Sequence, residues 1–364
     1  MVFLKSIFKY FFFLFILFLI LEILSRFLFS DFNENSIFIN IDKNTRISKG
    51  IKTHFNQYKD IMVRVPYTKK NIEEKSKKTI WLIGDSVTNG YGVRFHETYY
   101  SYLDDLINLN NKKYNIISNS FYGSDFGDVK ALVKEKIIDY ARPGDILVYQ
   151  FHYNDLTDIA KYQIKLDDEK LPFRGKLDYF LNKSRNFRYE YLNRSTLIKV
   201  LNHYSSILIR NTAGSCEERG TDALGPYTFA YSASGYENES DQSWKKFKED
   251  LLETKEILTT KNIKFVVLIV PISIQIEHHQ KLNKLNYDIS CGKFDPRQKL
   301  IDFLKETKVE YADPTEMFKI RANQFFKEGN PQTLFVQYDT AHPNSIGHYL
   351  MGLELFQKIN LLDD

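Results

Sequence analysis

The segment Trp81-Leu82-Ile83-Gly84-Asp85-Ser86-Val87-Thr88-Asn89-Gly90-Tyr91-Gly92 indicates both the fold class and the place of a candidate site. It begins inside an apolar run, Ile80 to Ile83, and turn residues follow that run directly. Short apolar runs closed by turn residues are typical of buried strands in parallel sheets. Because open α/β sheets bind ligands beyond the carboxyl ends of their strands, Ser86 is well placed for chemistry. The alternative is a plain turn with a helix cap, since Asp and Ser are favoured at both.

The rest of the chain alternates strand and helix patterns. Further apolar runs predict strands at residues 114–118, 146–151, 263–270 and 309–311. Helical periodicity predicts helices at residues 97–109, 129–140, 244–260, 297–307, 317–326 and 347–360. This alternation implies an α/β fold whose mainly parallel sheet of about five strands is covered on both faces. We assign the catalytic domain to residues 79–364.

Residues 156–243 interrupt the alternation and are too many for a structureless connection in a compact domain. We interpret them as an insertion that caps the site and selects the substrate. Residues 31–78 are mixed and polar, and we predict a stalk or linker there, or an embellishment of the domain, with a short strand at residues 61–65.

The amino terminus carries an apolar run, residues 7–29, that is long enough to cross a bilayer. Lys5 and Lys9 come early, whereas Asp31 and Glu34 follow the run, so the positive-inside bias places the amino terminus in the cytoplasm. A cleaved signal peptide would need small residues after the run, and none form that pattern. We predict a transmembrane signal anchor at residues 1–30, with the catalytic domain in the periplasm or at the cell surface. A cleaved signal or a buried core helix are the alternatives.

Composition excludes several classes of function. The 364 residues include 50 basic and 46 acidic ones, a net charge of +4 that is too balanced to indicate nucleic-acid binding. The two cysteines, Cys216 and Cys291, could form one disulfide in an exported domain or remain two free thiols. Because no CxxC motif or Cys/His cluster is present, we expect no metal site. Because a complete dinucleotide fingerprint and a P-loop lysine are missing, we expect no cofactor.

A second motif lies near the carboxyl terminus: Asp339-Thr340-Ala341-His342-Pro343-Asn344. A serine hydroxyl is a weak nucleophile that needs an adjacent base, and the base needs a partner that orients it. Histidine is the usual base because its pKa lies near working pH. Ser86, His342 and Asp339 could therefore form a nucleophile–base–acid triad. The alternative is that Asp339 caps the terminal helix and His342 is incidental.

Three groups after predicted strands could bind a developing oxyanion. They are the backbone N–H of Ser86, the backbone N–H of Gly123 and the side-chain amide of Asn154. Glycine suits a place where backbone approaches a ligand closely, and an asparagine amide is a neutral donor. Alternatively, Gly123 is an ordinary loop glycine and Asn154 forms a turn.

These segments resemble those of the SGNH or GDSL-type hydrolases. The resembling segments, in the family's order, are Gly84-Asp85-Ser86 through Gly90, residues 119–123, Tyr153-Asn154-Asp155 and Asp339 through Asn344. The chain departs from the family pattern at Tyr153, where a glycine is common, and at Val87, where leucine is common. The resemblance implies a flavodoxin-like three-layer α/β/α sandwich, a Ser86–His342–Asp339 triad and no metal. It also implies cleavage or transfer of esters, often acyl groups on carbohydrates or lipids.

We therefore expect a membrane-anchored serine esterase that acts through an acyl-enzyme on an ester substrate, with acylated glycans and lipids as candidates. Two alternatives are an O-acyltransferase acting on a surface polysaccharide and a non-catalytic binding module of the same fold. Other families fit less well. The G-x-S-x-G elbow fails at Thr88, and a G-x-G-x-x-G fingerprint fails at Phe95.

Overall fold

The fold is an α/β fold built on one mixed sheet. A computed structural model describes residues 2–28, 39–42, 45–48, 51–58, 61–65, 77–109, 114–120, 124–152, 155, 197, 201, 237–276, 296–329, 333–336 and 341–363. The strands are β1 (Ile39–Asp42), β2 (Thr45–Ser48), β3 (Ile51–Tyr58), β4 (Ile61–Val65), β5 (Lys78–Gly84), β6 (Tyr114–Ser120), β7 (Ile146–Phe151), β8 (Lys264–Ile269) and β9 (Glu310–Ala312).

Helices lie between and around these strands. They are α1 (Val2–Leu28), α2 (Ser86–Asn89), α3 (Tyr99–Leu109), α4 (Phe126–Leu132), α5 (Ile138–Tyr140), α6 (Glu237–Thr260), α7 (Ser273–Ile276), α8 (Pro296–Glu306), α9 (Thr315–Lys327) and α10 (Ser345–Asp363). A 3₁₀ turn, Phe95–Glu97, precedes α3, and a π-helical turn, Val133–Ile137, joins α4 to α5.

Five parallel strands form the centre of the sheet. Their spatial order is β6-β5-β7-β8-β9, which is the flavodoxin-like order 2-1-3-4-5. Each of the five strands predicted from the apolar runs is found here, so the α/β prediction is confirmed. Because Gly84 pairs with Ser120 and Ile83 pairs with Tyr149, the carboxyl ends of β5, β6 and β7 lie side by side.

Four antiparallel strands, β1 to β4, extend the sheet beyond β6, and the total among the described residues is nine strands rather than five. For the residues of these strands an embellishment of the sheet fits the structure and a stalk does not, and the short strand predicted at residues 61–65 is β4. Strands β1, β2 and β4 have only four or five residues, and the eight residues of β3 are mostly polar. Phe55 and Val63 are the buried hydrophobic residues among their described side chains. Short or mostly polar strands give a weak sequence signal.

Both faces of β5 and its parallel neighbours are buried, which explains why β5 is apolar without alternation. Trp81 and Ile83 point to one face, and Ile80 and Leu82 point to the other. The first face is covered by side chains of α4, the π-helical turn, α6 and α8, including Phe126, Val133, Phe247, Leu251, Leu300 and Leu304. The second face is covered by α3, α9 and α10, including Tyr99, Leu103, Phe318, Phe325, Met351 and Leu355.

The amino-terminal helix α1 runs from Val2 to Leu28. Among the helical residues whose placement the structure describes in full, no stretch is both long enough and apolar enough to cross a membrane. The anchor at residues 1–30 is not confirmed and stays a prediction. The predicted insertion lies outside the described residues apart from residues 197, 201 and the start of α6, and Cys216 and Cys291 lie outside them as well.

A buried carboxylate ties the amino end of β5 to the turn before β7. Asp145 is fully buried and accepts hydrogen bonds from Thr79 N at 2.8 Å, Trp81 Nε1 at 3.2 Å and Arg142 N at 2.9 Å. Two of these donors are backbone groups that would otherwise lose their partner. Asp145 therefore fixes where β5 begins relative to β7.

We predict that Asp145→Ala lowers the free energy of unfolding by about 3 kcal/mol or more, because each buried donor left without an acceptor costs about 1–3 kcal/mol. Chemical denaturation followed by tryptophan fluorescence measures the change. Glu316→Ala, at an exposed ion pair with Lys319, is the control and should change stability by less than about 0.5 kcal/mol. Equal effects of the two substitutions would contradict the role given to Asp145.

Candidate active site

The turn after β5 presents Ser86 at the amino end of the short helix α2. Asp85 caps this helix, since its Oδ1 accepts a hydrogen bond from Val87 N at 2.9 Å. Asp85 itself is almost completely buried. A strand that ends in Gly84 and a helix that begins two residues later leave Ser86 at the carboxyl edge of the sheet. The geometry is the one expected for a nucleophile placed by a strand-to-helix turn.

Gln150 of β7 holds the same turn from the neighbouring strand. Its Oε1 accepts hydrogen bonds from Asp85 N at 3.3 Å, Thr88 N at 3.1 Å and Thr88 Oγ1 at 2.9 Å. A Cβ at Gly84 would lie only 2.5 Å from Gln150 Oε1 and from Thr88 Oγ1, so a side chain there would break this arrangement. Sequence reasoning missed Gln150, because a polar residue in an otherwise apolar strand was the only signal it gave.

His342 is held by the segment that precedes the terminal helix. Phe335 and Pro343 form an isolated antiparallel bridge, and Val336 N donates to His342 O at 2.9 Å. Asn344 Oδ1 accepts from the backbone N–H groups of Ile346 and Gly347 at 3.0 and 3.1 Å, so it caps α10. These contacts fix the backbone on both sides of the imidazole.

The two motifs meet in space. Ser86 Oγ and His342 Nε2 are 2.7 Å apart, although the residues are separated by 256 positions in the chain. This is hydrogen-bond distance between a hydroxyl and an imidazole nitrogen. The hydroxyl of the first motif and the imidazole of the second therefore meet, and this arrangement can transfer a proton from the serine to the histidine.

Tyr91 is a further residue of this site that sequence reasoning did not single out. Its ring centroid lies 4.4 Å from that of His342, with 42° between the ring planes. The flanking glycines, Gly90 and Gly92, both have positive φ, at 74° and 76°. A tyrosine between two glycines was the available signal, since such a loop can bring a backbone segment close to a neighbouring chain segment.

The second histidine of the carboxyl-terminal region, His348, is separate from Ser86. It is fully buried, and its Nδ1 accepts a hydrogen bond from Tyr99 N at 3.1 Å while its ring stacks on the Tyr99 ring at 5.9 Å. Burial, with smaller contributions from the charges of Arg64 and His342, lowers the pKa of His348 from 6.5 to about 3. His348 is therefore a neutral part of the packing between α3 and α10, and the candidate base is His342.

The other three predicted site residues, Asp339, Gly123 and Asn154, lie outside the described residues. Residues close to them in the chain are held at the same edge of the sheet as Ser86. Asn89 Nδ2 donates to Ser120 Oγ at 3.1 Å, which joins α2 to the end of β6. The assignments of Asp339, Gly123 and Asn154 stay predictions.

Asp155 fixes the backbone at the end of β7. Its Oδ2 accepts hydrogen bonds from His152 N at 2.9 Å and from the hydroxyl of Tyr149. Burial raises the pKa of Tyr149, and the neighbouring Asp155 carboxylate raises it further, so the phenol stays a neutral donor. The end of β7 is therefore anchored at the carboxyl edge of the sheet, where Ser86 lies.

Within the described part of the chain, no group of three or more His, Cys, Asp or Glu side chains could hold a metal ion. The sequence matches no protein-family model and no curated protein.

The chain is similar in structure to several solved esterases and lipolytic proteins. One is an acetyl xylan esterase, AlAXEase, at 13% identity and a TM-score of 0.43, covering 77% of this chain and 99% of that chain. Another is a putative lipolytic protein of the G-D-S-L family from Desulfitobacterium hafniense, at 10% identity and a TM-score of 0.38, covering 78% and 99%. A third is a catalytic mutant of Axe2, an acetylxylan esterase from Geobacillus stearothermophilus, at 13% identity and a TM-score of 0.39, covering 78% and 94%.

Proposed function

We propose that this protein is a serine esterase that cleaves a carboxylic ester through an acyl-enzyme on Ser86. The single observation that carries the proposal is the 2.7 Å contact between Ser86 Oγ and His342 Nε2 at the carboxyl edge of a parallel sheet. A hydroxyl in contact with an imidazole becomes a useful nucleophile, because the ring accepts its proton as the oxygen attacks. The fixed backbone around both residues supports this role, since a nucleophile and its base must keep their geometry.

In this mechanism Ser86 Oγ attacks the ester carbonyl carbon and transfers its proton to His342 Nε2. The imidazolium then protonates the departing alkoxide, which leaves as an alcohol while the acyl group stays on Ser86. Water next attacks the acyl-enzyme, and His342 takes one of its protons and returns it to Ser86 as the carboxylic acid leaves. Asp339 orients His342 and stabilises its charged form, as expected for the third member of a triad.

The negative charge on the carbonyl oxygen needs donors in place before the reaction begins. We assign the backbone N–H groups of Ser86 and Gly123 and the side-chain amide of Asn154 to this role. The pairing of β5 with β6 and β7 supports the assignment, because the three strands end next to one another. The acyl group is proposed to be one carried by a glycan or a lipid, with the segment at residues 156–243 selecting it.

We predict that Ser86→Ala lowers kcat/KM for a p-nitrophenyl ester by at least about a thousandfold, because residual catalysis without the nucleophile comes only from binding and the oxyanion donors. Initial rates on purified full-length protein measure the loss. Ser101→Ala, on α3, is the control and should keep the parent rate. Parent activity in Ser86→Ala with an unchanged fold would refute the esterase mechanism.

Asn154→Ala should lower kcat by about a hundred- to a thousandfold with a smaller change in KM, as removal of an oxyanion donor does elsewhere. Steady-state kinetics separate the two constants. Fluorophosphonate labelling of Ser86 serves as a check that the nucleophile remains active. A loss in kcat of less than about threefold would remove Asn154 from the site.

We also propose that residues 1–30 anchor the protein in a membrane with the catalytic domain outside the cytoplasm. The support is the sequence: an uncharged run from Tyr10 to Leu21, preceded by Lys5 and Lys9. Protease added to intact spheroplasts should then digest the carboxyl-terminal domain of the membrane-bound protein. Protection of that domain, with digestion only after lysis, would contradict this orientation.

A further inference from the structure

Arg64 is a buried cation that reaches the turn behind the nucleophile from outside the predicted catalytic domain. It lies on β4 and is only 4% exposed. Its Nη1 donates to the backbone oxygens of Asn89 and Gly90, the latter at 3.0 Å, and its Nη2 donates to Val93 O at 2.8 Å. One guanidinium therefore holds three points of the loop that follows α2.

The loop needs such a partner. Because α2 has only four residues, its last carbonyls have few partners within the helix. A cation at the carboxyl end of a helix is favourable, and hydrogen bonds from a charged donor are about twice as strong as neutral ones. The fork of a guanidinium can serve three acceptors in a fixed geometry, whereas the point charge of a lysine cannot.

The same loop carries Tyr91 to His342. Tyr91 N donates to Ser86 O at 3.0 Å, and Val93 N donates to Gly90 O at 3.2 Å, so the loop is a compact turn. A Cβ on Gly90 would lie 2.0 Å from Arg64 Nη1. The absence of a side chain at Gly90 therefore lets the guanidinium enter the turn.

On the other side, the loop packs against the segment that holds the base. A Cβ on Gly92 would lie 2.8 Å from Val336 Cγ2, and Val336 N donates to His342 O. The Tyr91 ring packs beside the imidazole, with 4.4 Å between the two centroids. A side chain packed this closely restricts the orientations that the imidazole can adopt.

We propose that Arg64 is a positioning residue for His342: it fixes the loop of residues 89–93, and that loop holds the Tyr91 ring against the imidazole. The catalytic consequence rests on the proposed function, whereas the placement of the imidazole does not. The proposal differs from simple stabilisation of the fold, because it requires Arg64 to act on His342 through Tyr91.

A double-mutant cycle tests this path. Arg64→Lys and Tyr91→Ala should each lower kcat by about ten- to a hundredfold with KM changed less than about threefold, the size expected for residues in direct contact with a shared element. The double variant should be no more than about threefold slower than the slower single variant, because both changes release the same ring. A double variant whose loss in kcat equals the product of the two single-variant losses would overturn the proposal, because the two residues would then act independently.

A second readout does not require turnover. In full-length protein with ¹³C-labelled histidine, the His342 ring C–H signals should shift in Tyr91→Ala, because the Tyr91 ring current is removed. They should shift in the same direction in Arg64→Lys, because the released loop lets the Tyr91 ring move away from the imidazole. His342→Gln identifies the signals. If the parent protein has no Ser86-dependent hydrolysis, the proposed function fails, but these shifts still test the placement. Unchanged His342 signals in Arg64→Lys would overturn it.

Arg142→Lys is the matched control, because Arg142 Nη2 donates to the backbone oxygen of Lys77 at 2.7 Å at the opposite end of β5. It should leave kcat and the His342 signals unchanged. Should Arg64→Lys fail to fold, Gly90→Ala breaks the same contact from the side of the loop, and it must produce the same His342 shift. A folded Gly90→Ala protein with parent signals would overturn the proposal equally.

Discussion

Parallel pairing of β5 with β6 and β7 is the constraint on which the candidate site depends. It places Gly84 beside Ser120 and Ile83 beside Tyr149, so the loops after three strands leave the sheet at one edge. Residues that are far apart in the chain, such as Asn89 and Ser120, can then contact each other at this edge. The remaining tie is the bridge between Phe335 and Pro343, which brings His342 to the same edge. The 2.7 Å contact with Ser86 follows from these backbone pairings.

Buried polar side chains complete the turn that the strands begin. At the amino end of α2, Asp85 and Gln150 provide oxygen acceptors for backbone N–H groups. At its carboxyl end, Arg64 provides N–H donors for backbone oxygens. This distribution matches the helix dipole, which favours negatively polarised acceptors at the amino end of a helix and cations at its carboxyl end. A helix of four residues, too short to be stable by itself, is thus fixed at both ends by other strands.

Sequence patterns predict the central strands and the candidate residues Ser86 and His342, because each of these features depends on local signals. Continuous apolar runs indicated β5 to β9, and the spacing around Ser86 and His342 indicated a nucleophile and its base. Arg64 and Gln150 were not predicted, because the value of a buried polar side chain depends on which backbone groups the tertiary fold leaves without partners. Tyr91 was missed for the same reason. Strands β1 to β3 lie where the sequence predicts a stalk or an embellishment without strands, because short or mostly polar strands resemble polar linkers.

Arg64 extends the candidate site to β4, which precedes the predicted catalytic domain of residues 79–364. Val63, its neighbour on β4, forms the pair with Asn119 that attaches the amino-terminal strands to β6. The pairing with β6 and the hydrogen bonds to the loop of residues 89–93 therefore come from adjacent residues, Val63 and Arg64. The side chains of these two residues point to opposite faces of the strand. Because the acceptors of Arg64 are backbone oxygens, Arg64 fixes the path of the loop through its backbone and not through its side chains. A candidate site defined by the parallel strands alone would omit β4, and with it the cation that donates to the turn after Ser86.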